Sequence, residues 1–141
     1  MASQLLVAWC LMASSVVIHA YGTMSALRWL RRHEITSWRL SRWARLFVIL
    51  AGWIILLHVA EITVWAVAYT VMRAMPDLQS GLYFSAVTYT TTGYGDLVLP
   101  DRWRLVGAVE ALTGILMCGW STGFFFAVLS KMLASEERLH Q

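Results

Sequence analysis

Polar residues thin out along three stretches of this chain, at 5–24, 46–72 and 103–132. Each is long enough to cross a bilayer core as a helix, which takes about 20 apolar residues. The second and third exceed a perpendicular crossing and would reach roughly 40 Å, an excess that tilt absorbs. Between them the pattern breaks. Pro76 and Asp77 form a helix-start signal, with Asp77 or Ser80 as the N-cap. Residues 82–90 then read as a short helix, followed by the polar run Thr90-Thr91-Thr92-Gly93-Tyr94-Gly95-Asp96. Irregular backbone at membrane depth survives only where protein buries it or it lines water. The expected fold is therefore an all-α membrane protein, with three transmembrane helices and a re-entrant short helix and loop between the second and third.

Composition supports this reading. Of 141 residues, 59% are hydrophobic and only 13% charged, too few charges to solvate the surface of a small domain. No internal repeat, nucleotide-binding motif or nucleophile–base–orienter set is present, so no enzyme activity, cofactor or nucleic-acid partner is expected. The first stretch reads as a retained helix and not a cleaved leader. Residues 1–5 carry no Lys or Arg, and Ile18-His19-Ala20 is a poor cleavage site. Cys10 and Cys118 fall inside apolar stretches and read as small packing residues.

Charge sets an orientation. Arg28, Arg31, Arg32, Arg39, Arg42 and Arg45 all lie between the first two stretches. Short loops rich in Lys and Arg stay cytoplasmic, which places the N-terminus outside and the C-terminus in the cytoplasm. Arg73, Arg102 and Arg104 weaken this bias without reversing it. Trp29, Trp38 and Trp43 alternate with the arginines, as in a segment lying at the membrane surface. Anionic lipid headgroups are the partners expected for those six arginines. The chain divides into an N-terminal helix at 1–26, this interfacial segment at 27–45, a main domain at 46–132 and a short tail at 133–141.

An ordinary strand alternates its carbonyls between two faces. Keeping them on one face needs residues in left-handed backbone space, which glycine enters without a Cβ penalty. Gly93 and Gly95 have the spacing for this. The carbonyls of Thr91, Thr92, Gly93 and Tyr94, with the Thr91 hydroxyl, would then form a ladder of cation sites.

The run resembles the selectivity filter of the potassium-channel pore family, usually T-x-G-Y-G-D. The resemblance covers roughly residues 81–130 and, more loosely, the stretch before them. It implies a passive potassium-selective channel, with K+ held at Thr91, Thr92, Gly93, Tyr94 and Gly95. One loop cannot encircle an ion, so it also implies a homotetramer. Tyr83 and Phe84 stand at aromatic positions that brace the filter, with Tyr83 in reach of Asp96. Phe84 has no hydroxyl for Tyr94, which leaves that role to Thr88. Val87 stands where some members carry a glutamate, and Thr92 replaces a commoner valine or isoleucine. A filter less firmly braced than the family norm is expected. Gly114 matches the family's hinge glycine and suits bending or close packing, and Gly119 and Gly123 suit bending or close packing equally. Cys118 and Thr122 are expected to line a cavity, with Phe126 as a constriction.

The arginines at 39, 42 and 45 repeat as in voltage sensors, but only one apolar stretch precedes them. His58, Glu61 and Glu110 are ionisable groups inside apolar stretches, where they fix helix packing or respond to protons. His58 and Glu61 alone offer too few ligands for a metal. A weakly selective cation channel, or a non-conducting or transporter-associated pore subunit, remain open alternatives. A small single-loop chain suits a prokaryotic plasma membrane by analogy with the family.

Overall fold

The computed structural model describes residues 2–32 and 40–139, with the side chains of 2–32 and 41–134. Four helices follow in order: α1 (Ala2–Arg32), α2 (Leu40–Val71), α3 (Leu78–Tyr89) and α4 (Arg104–Leu139). A 3-10 turn at Asp101–Trp103 leads into α4. Helices α1, α2 and α4 are each long and apolar enough to cross a membrane, and α3 is a short helix between the second and third of them.

The helices outrun the apolar stretches. Arg28, Arg31 and Arg32 belong to the last turns of α1, and Arg42 and Arg45 to the first turns of α2. Arginine is a good helix former, and a cation suits the negative end of α1. The expected interfacial segment at 27–45 is thus shared between two helix ends. Trp38 and Arg39 lie outside the described residues. At the other end of the chain, α4 runs 36 residues, about 54 Å, and takes in most of the expected tail.

Each long helix buries one stripe. On α2 it is Leu46, Leu50, Ile54, Leu57, Glu61, Trp65 and Tyr69; on α4 it is Val106, Glu110, Thr113, Met117, Ser121, Phe124, Val128 and Met132. These positions recur every three or four residues, the helical period. The remaining faces stay apolar and exposed, with Val48, Ile49, Ile55, Leu56, Leu112, Ile115 and Leu116 among them. A water-soluble bundle reverses this arrangement, with polar groups outward. Two apolar clusters form the core. Ala8, Trp65, Tyr69, Phe84, Tyr89, Leu99 and Met117 belong to one, and Ala26, Leu50, Ile54, Leu57, Phe124 and Val128 to the other. The polar residues His19, Glu61 and Ser121 fall between these clusters along their helices.

Helix α1 packs against both α2 and α4, while α3 fills the space between α2 and α4. Small residues permit these approaches. A Cβ at Gly81 of α3 would come within 2.9 Å of the Ala66 carbonyl on α2. A Cβ at Gly114 would collide with the Tyr89 carbonyl at the end of α3. Of the two roles expected for Gly114, bending or close packing, the contact with Tyr89 gives it close packing, in an α4 that is helical throughout. Cys10 and Cys118 are corrected: both are free and exposed, not packed inside.

Helix α2 closes with a Schellman motif. The Ala74 N–H bonds the Tyr69 carbonyl at 2.8 Å and the Arg73 N–H bonds the Thr70 carbonyl at 3.0 Å. The residue after such a cap takes a left-handed conformation and is usually glycine. Here it is Arg73, at φ 53°. Helix α3 starts four residues earlier than expected, capped by Asp77, whose Oδ1 accepts the Ser80 N–H at 2.8 Å.

Two outcomes follow for thermal or denaturant unfolding of the purified protein. Arg73→Gly relieves the left-handed strain and should stabilise by about 1 kcal/mol. Gly114→Ala must displace backbone and should cost about 1–3 kcal/mol. Gly52→Ala, with open space around the new methyl, serves as a control and should be neutral or mildly stabilising.

Candidate functional site

The loop after α3 alternates its backbone. Thr91, Gly93 and Gly95 have φ of 59°, 58° and 78°, whereas Thr92 and Tyr94 are outside the left-handed region. Nothing lies within 4 Å of a Cβ built at Gly93 or Gly95, so backbone conformation and not space calls for glycine there. Thr91 is β-branched and gains no such licence. Its conformation costs on the order of 1–3 kcal/mol, strain of the kind that gathers at functional sites.

The loop is tied to α3 by its donors. The Thr91 N–H bonds the Thr88 carbonyl at 2.9 Å, and the Thr92 and Gly93 N–H groups bond the Val87 carbonyl at 2.9 and 3.2 Å. Among the described residues, no hydrogen bond reaches the carbonyls of residues 91–95. Residues 90–98 are exposed throughout. Thr92 finds its hydroxyl partner in Thr90, at 2.9 Å, and Thr90 in turn donates to the Ala86 carbonyl at 2.7 Å. Tyr83 donates to Asp96 Oδ2 at 2.7 Å. That bond holds the Asp96 carboxyl below its ordinary range and pushes the Tyr83 phenol up.

Phe84 departs from expectation. It is buried with its ring edge-on to Tyr69, centroids 5.4 Å apart, and beside Gly107. It shares the face of α3 that carries Gly81 and Ser85, so it packs the core and does not brace Tyr94. Tyr94 is exposed, and among the described residues no hydrogen bond joins it to Thr88.

Two buried carboxylates hold α3 from behind. Glu110 accepts from the Tyr69 hydroxyl at 2.7 Å and from Ser85 of α3, whose Oγ is also 2.9 Å from the Ile62 carbonyl. Glu61 accepts from the Tyr89 hydroxyl at the end of α3 and pairs with His19 Nδ1 of α1 at 2.9 Å. His58 sits beside them, with Nδ1 at 3.0 Å from the Tyr89 hydroxyl and Nε2 at 3.1 Å from Ser121. Glu61 and Glu110, considered together in the sequence, therefore belong to separate networks. His19, Tyr69, Ser85, Tyr89 and Ser121 were not singled out. A trace of them existed in α1, where Ser15, His19, Gly22, Thr23 and Ala26 make a stripe of small and polar residues on an apolar helix.

On α4, Cys118 and Thr122 lie one turn apart and exposed, with the Thr122 hydroxyl donating to the Cys118 carbonyl at 3.0 Å. Of the three consecutive phenylalanines, Phe124 is buried, Phe125 stacks on Phe47 and Phe126 is 71% exposed. Val87 contributes through its carbonyl, as described above.

Three membrane-length helices, with a short helix and a glycine-containing loop before the last of them, can be compared with known proteins. A family model described as ion channel matches residues 43–131. The chain belongs to this ion channel family. No curated protein and no solved structure matches it. As an ion channel with three candidate spans, it is an integral multi-pass membrane protein and not an enzyme. The match takes in α3, the loop and nearly all the described side chains of α2 and α4. It leaves α1 outside.

The Tyr83–Asp96 bond gives a signed prediction. A depressed carboxyl stabilises the loop at neutral pH and loses that contribution as pH falls through its folded-state value. In Tyr83→Phe the Asp96 carboxyl should titrate at higher pH than in wild type, which NMR of the side-chain carboxyl would read. Separately, Tyr69→Phe leaves Glu110 short of a donor and should destabilise by about 1–3 kcal/mol in thermal unfolding.

Proposed function

We propose that this ion channel conducts potassium passively, and that residues 91–95 are its selectivity filter. The observation that carries the proposal is the alternation of left-handed residues at 91, 93 and 95, beside carbonyls that no donor among the described residues meets. Such a backbone turns successive carbonyls toward one side. Rings of carbonyls of this kind replace the hydration shell of a potassium ion. The carbonyls of Thr91, Thr92, Gly93 and Tyr94 are the K+ ligands in this reading. Gly95 permits the turn that follows, and the Tyr83–Asp96 bond braces the outer end.

One loop supplies one side of a ring, so four copies around an axis complete the site. The exposed face of α4 that carries Cys118, Thr122 and Phe126 then lines the path below the filter, with Phe126 as its constriction. The arginines at the ends of α1 and α2 face the cytoplasm and its anionic lipids. The N-terminus lies outside, as in a prokaryotic plasma membrane. Gly114 positions α3 in this account.

The test is reversal potential in proteoliposomes or planar bilayers under opposed potassium and sodium gradients. Wild type should reverse near the potassium equilibrium potential. Gly93→Ala forces a Cβ into left-handed backbone and should abolish the current. Equal permeability to the two ions would overturn selectivity. Absence of current from correctly folded protein would favour a non-conducting subunit.

A further inference from the structure

Glu61 is fully buried, and its ion-pair partners are two histidines, His19 of α1 and His58 of α2. Buried carboxylates need their charge met. Hydrogen bonds here have to be counted proton by proton. Ser121 Oγ donates its one proton to the Met117 carbonyl at 3.1 Å, the usual habit of a helical serine. Only its lone pairs are left for neighbours. His58 Nε2 lies 3.1 Å from that oxygen and His19 Nε2 lies 3.2 Å from it. With the Ser121 proton on Met117, both neutral imidazoles donate to Ser121 from Nε2 and both Nδ1 atoms carry bare lone pairs; with that proton on His19 Nε2, His19 donates to Glu61 from Nδ1.

Those two Nδ1 atoms face Glu61, His19 at 2.9 Å from Oε1 and His58 at 3.7 Å from Oε2. In the first arrangement lone pairs confront lone pairs; in either, three ligand atoms converge in a buried site. One added proton on His19 satisfies Oε1. It leaves His58 Nδ1 facing the Tyr89 oxygen at 3.0 Å, and the Tyr89 proton already goes to Glu61. Two added protons make two imidazolium rings with centroids 5.2 Å apart, a repulsive pair to bury. A single divalent cation would use all three ligand atoms with both imidazoles neutral and Ser121 accepting from each Nε2. All three lie within 4.8 Å of one another.

We propose that His19, His58 and Glu61 form an intramembrane site for a borderline transition cation of the Zn2+ class. Two imidazoles and one carboxylate are ligands that zinc accepts, and imidazole selects against Mg2+ and Ca2+. The outer partners are already in place. Metal-bound histidines donate their second N–H to a neighbouring acceptor, and Ser121 accepts from both rings. Tyr89 donates to the ligating carboxylate and lies 3.0 Å from His58 Nδ1. The His58 side chain is 17% exposed, which gives an ion a way in. Occupancy ties α1 to α2 beside the last residue of α3.

The test uses the purified full chain in detergent, stripped with chelator and titrated with Co2+ and with Zn2+. Visible absorption and metal analysis read binding, so the result does not depend on conduction. Wild type should hold one ion per chain, in the presence of excess Mg2+ and Ca2+. Zn2+ should raise its unfolding midpoint, because an ion that binds only the folded state stabilises it. His19→Gln and His58→Gln should each weaken binding by more than the ~10–100-fold that loss of an outer partner costs. His58→Cys should keep Zn2+, since thiolate is also a zinc ligand; a purely structural histidine gives no such rescue. Wild type that retains no ion would overturn the site and leave protons as the balancing charge. Binding unchanged in both Gln variants would overturn it too. Should the Gln variants fail to fold, wild type and His58→Cys decide the question.

Discussion

A carboxylate cut off from water must be met by donors, and in this chain those donors are largely hydroxyls. Ser85 and Tyr89 of α3 reach Glu110 and Glu61, one carboxylate on each of the helices that flank it. The two contacts are four residues apart on α3, hence on one face. Gly81 extends that face by another turn and lets the Ala66 carbonyl approach. Remove the carboxylates and α3 loses its polar tie to α4, keeping only Ser85–Ile62 and Tyr89–His58 on the α2 side beside apolar contacts, which slide. The polar contacts fix its axial position, and the loop at 90–96 inherits that position.

Strain and support meet within a few residues. The left-handed conformations at Thr91, Gly93 and Gly95 persist because the loop N–H groups are held by the carbonyls of Val87 and Thr88. Those carbonyls belong to the helix end that Glu61 anchors through Tyr89. Apolar packing completes the support, with Phe84 and Tyr69 edge to face behind it. This division suits a membrane protein. Lipid cannot drive apolar side chains inward, so close backbone approach and internal polar bonds carry the specificity.

The parts legible in the sequence were those with a local signature. Spans show as long apolar runs, the start of α3 as Pro76-Asp77, and the loop as two spaced glycines. Contacts distant in sequence left no such trace. His19 and Glu61 are 42 residues apart, and Ser121 and His19 are 102 apart. A single histidine in an apolar run says nothing about which helix it will face. Gly114 and Phe84 were visible but not their partners, because those depend on how closely α3 approaches its neighbours. Helix ends were missed for a simpler reason: apolar length measures the bilayer, whereas arginine continues a helix beyond it.

The chain order of these contacts has a consequence for how the protein is made. His19 precedes Glu61, so when α2 is synthesised the imidazole that will pair with its carboxylate already exists. Tyr69 and Ser85 likewise precede Glu110 and await it. Gly114, which receives the end of α3, and Ser121, which receives both imidazoles, come later still. Until α4 leaves the ribosome, α3 has a partner on one flank only. The helix made after α3 is the one that seats the loop, so a nascent chain that stops short of it leaves that loop unseated.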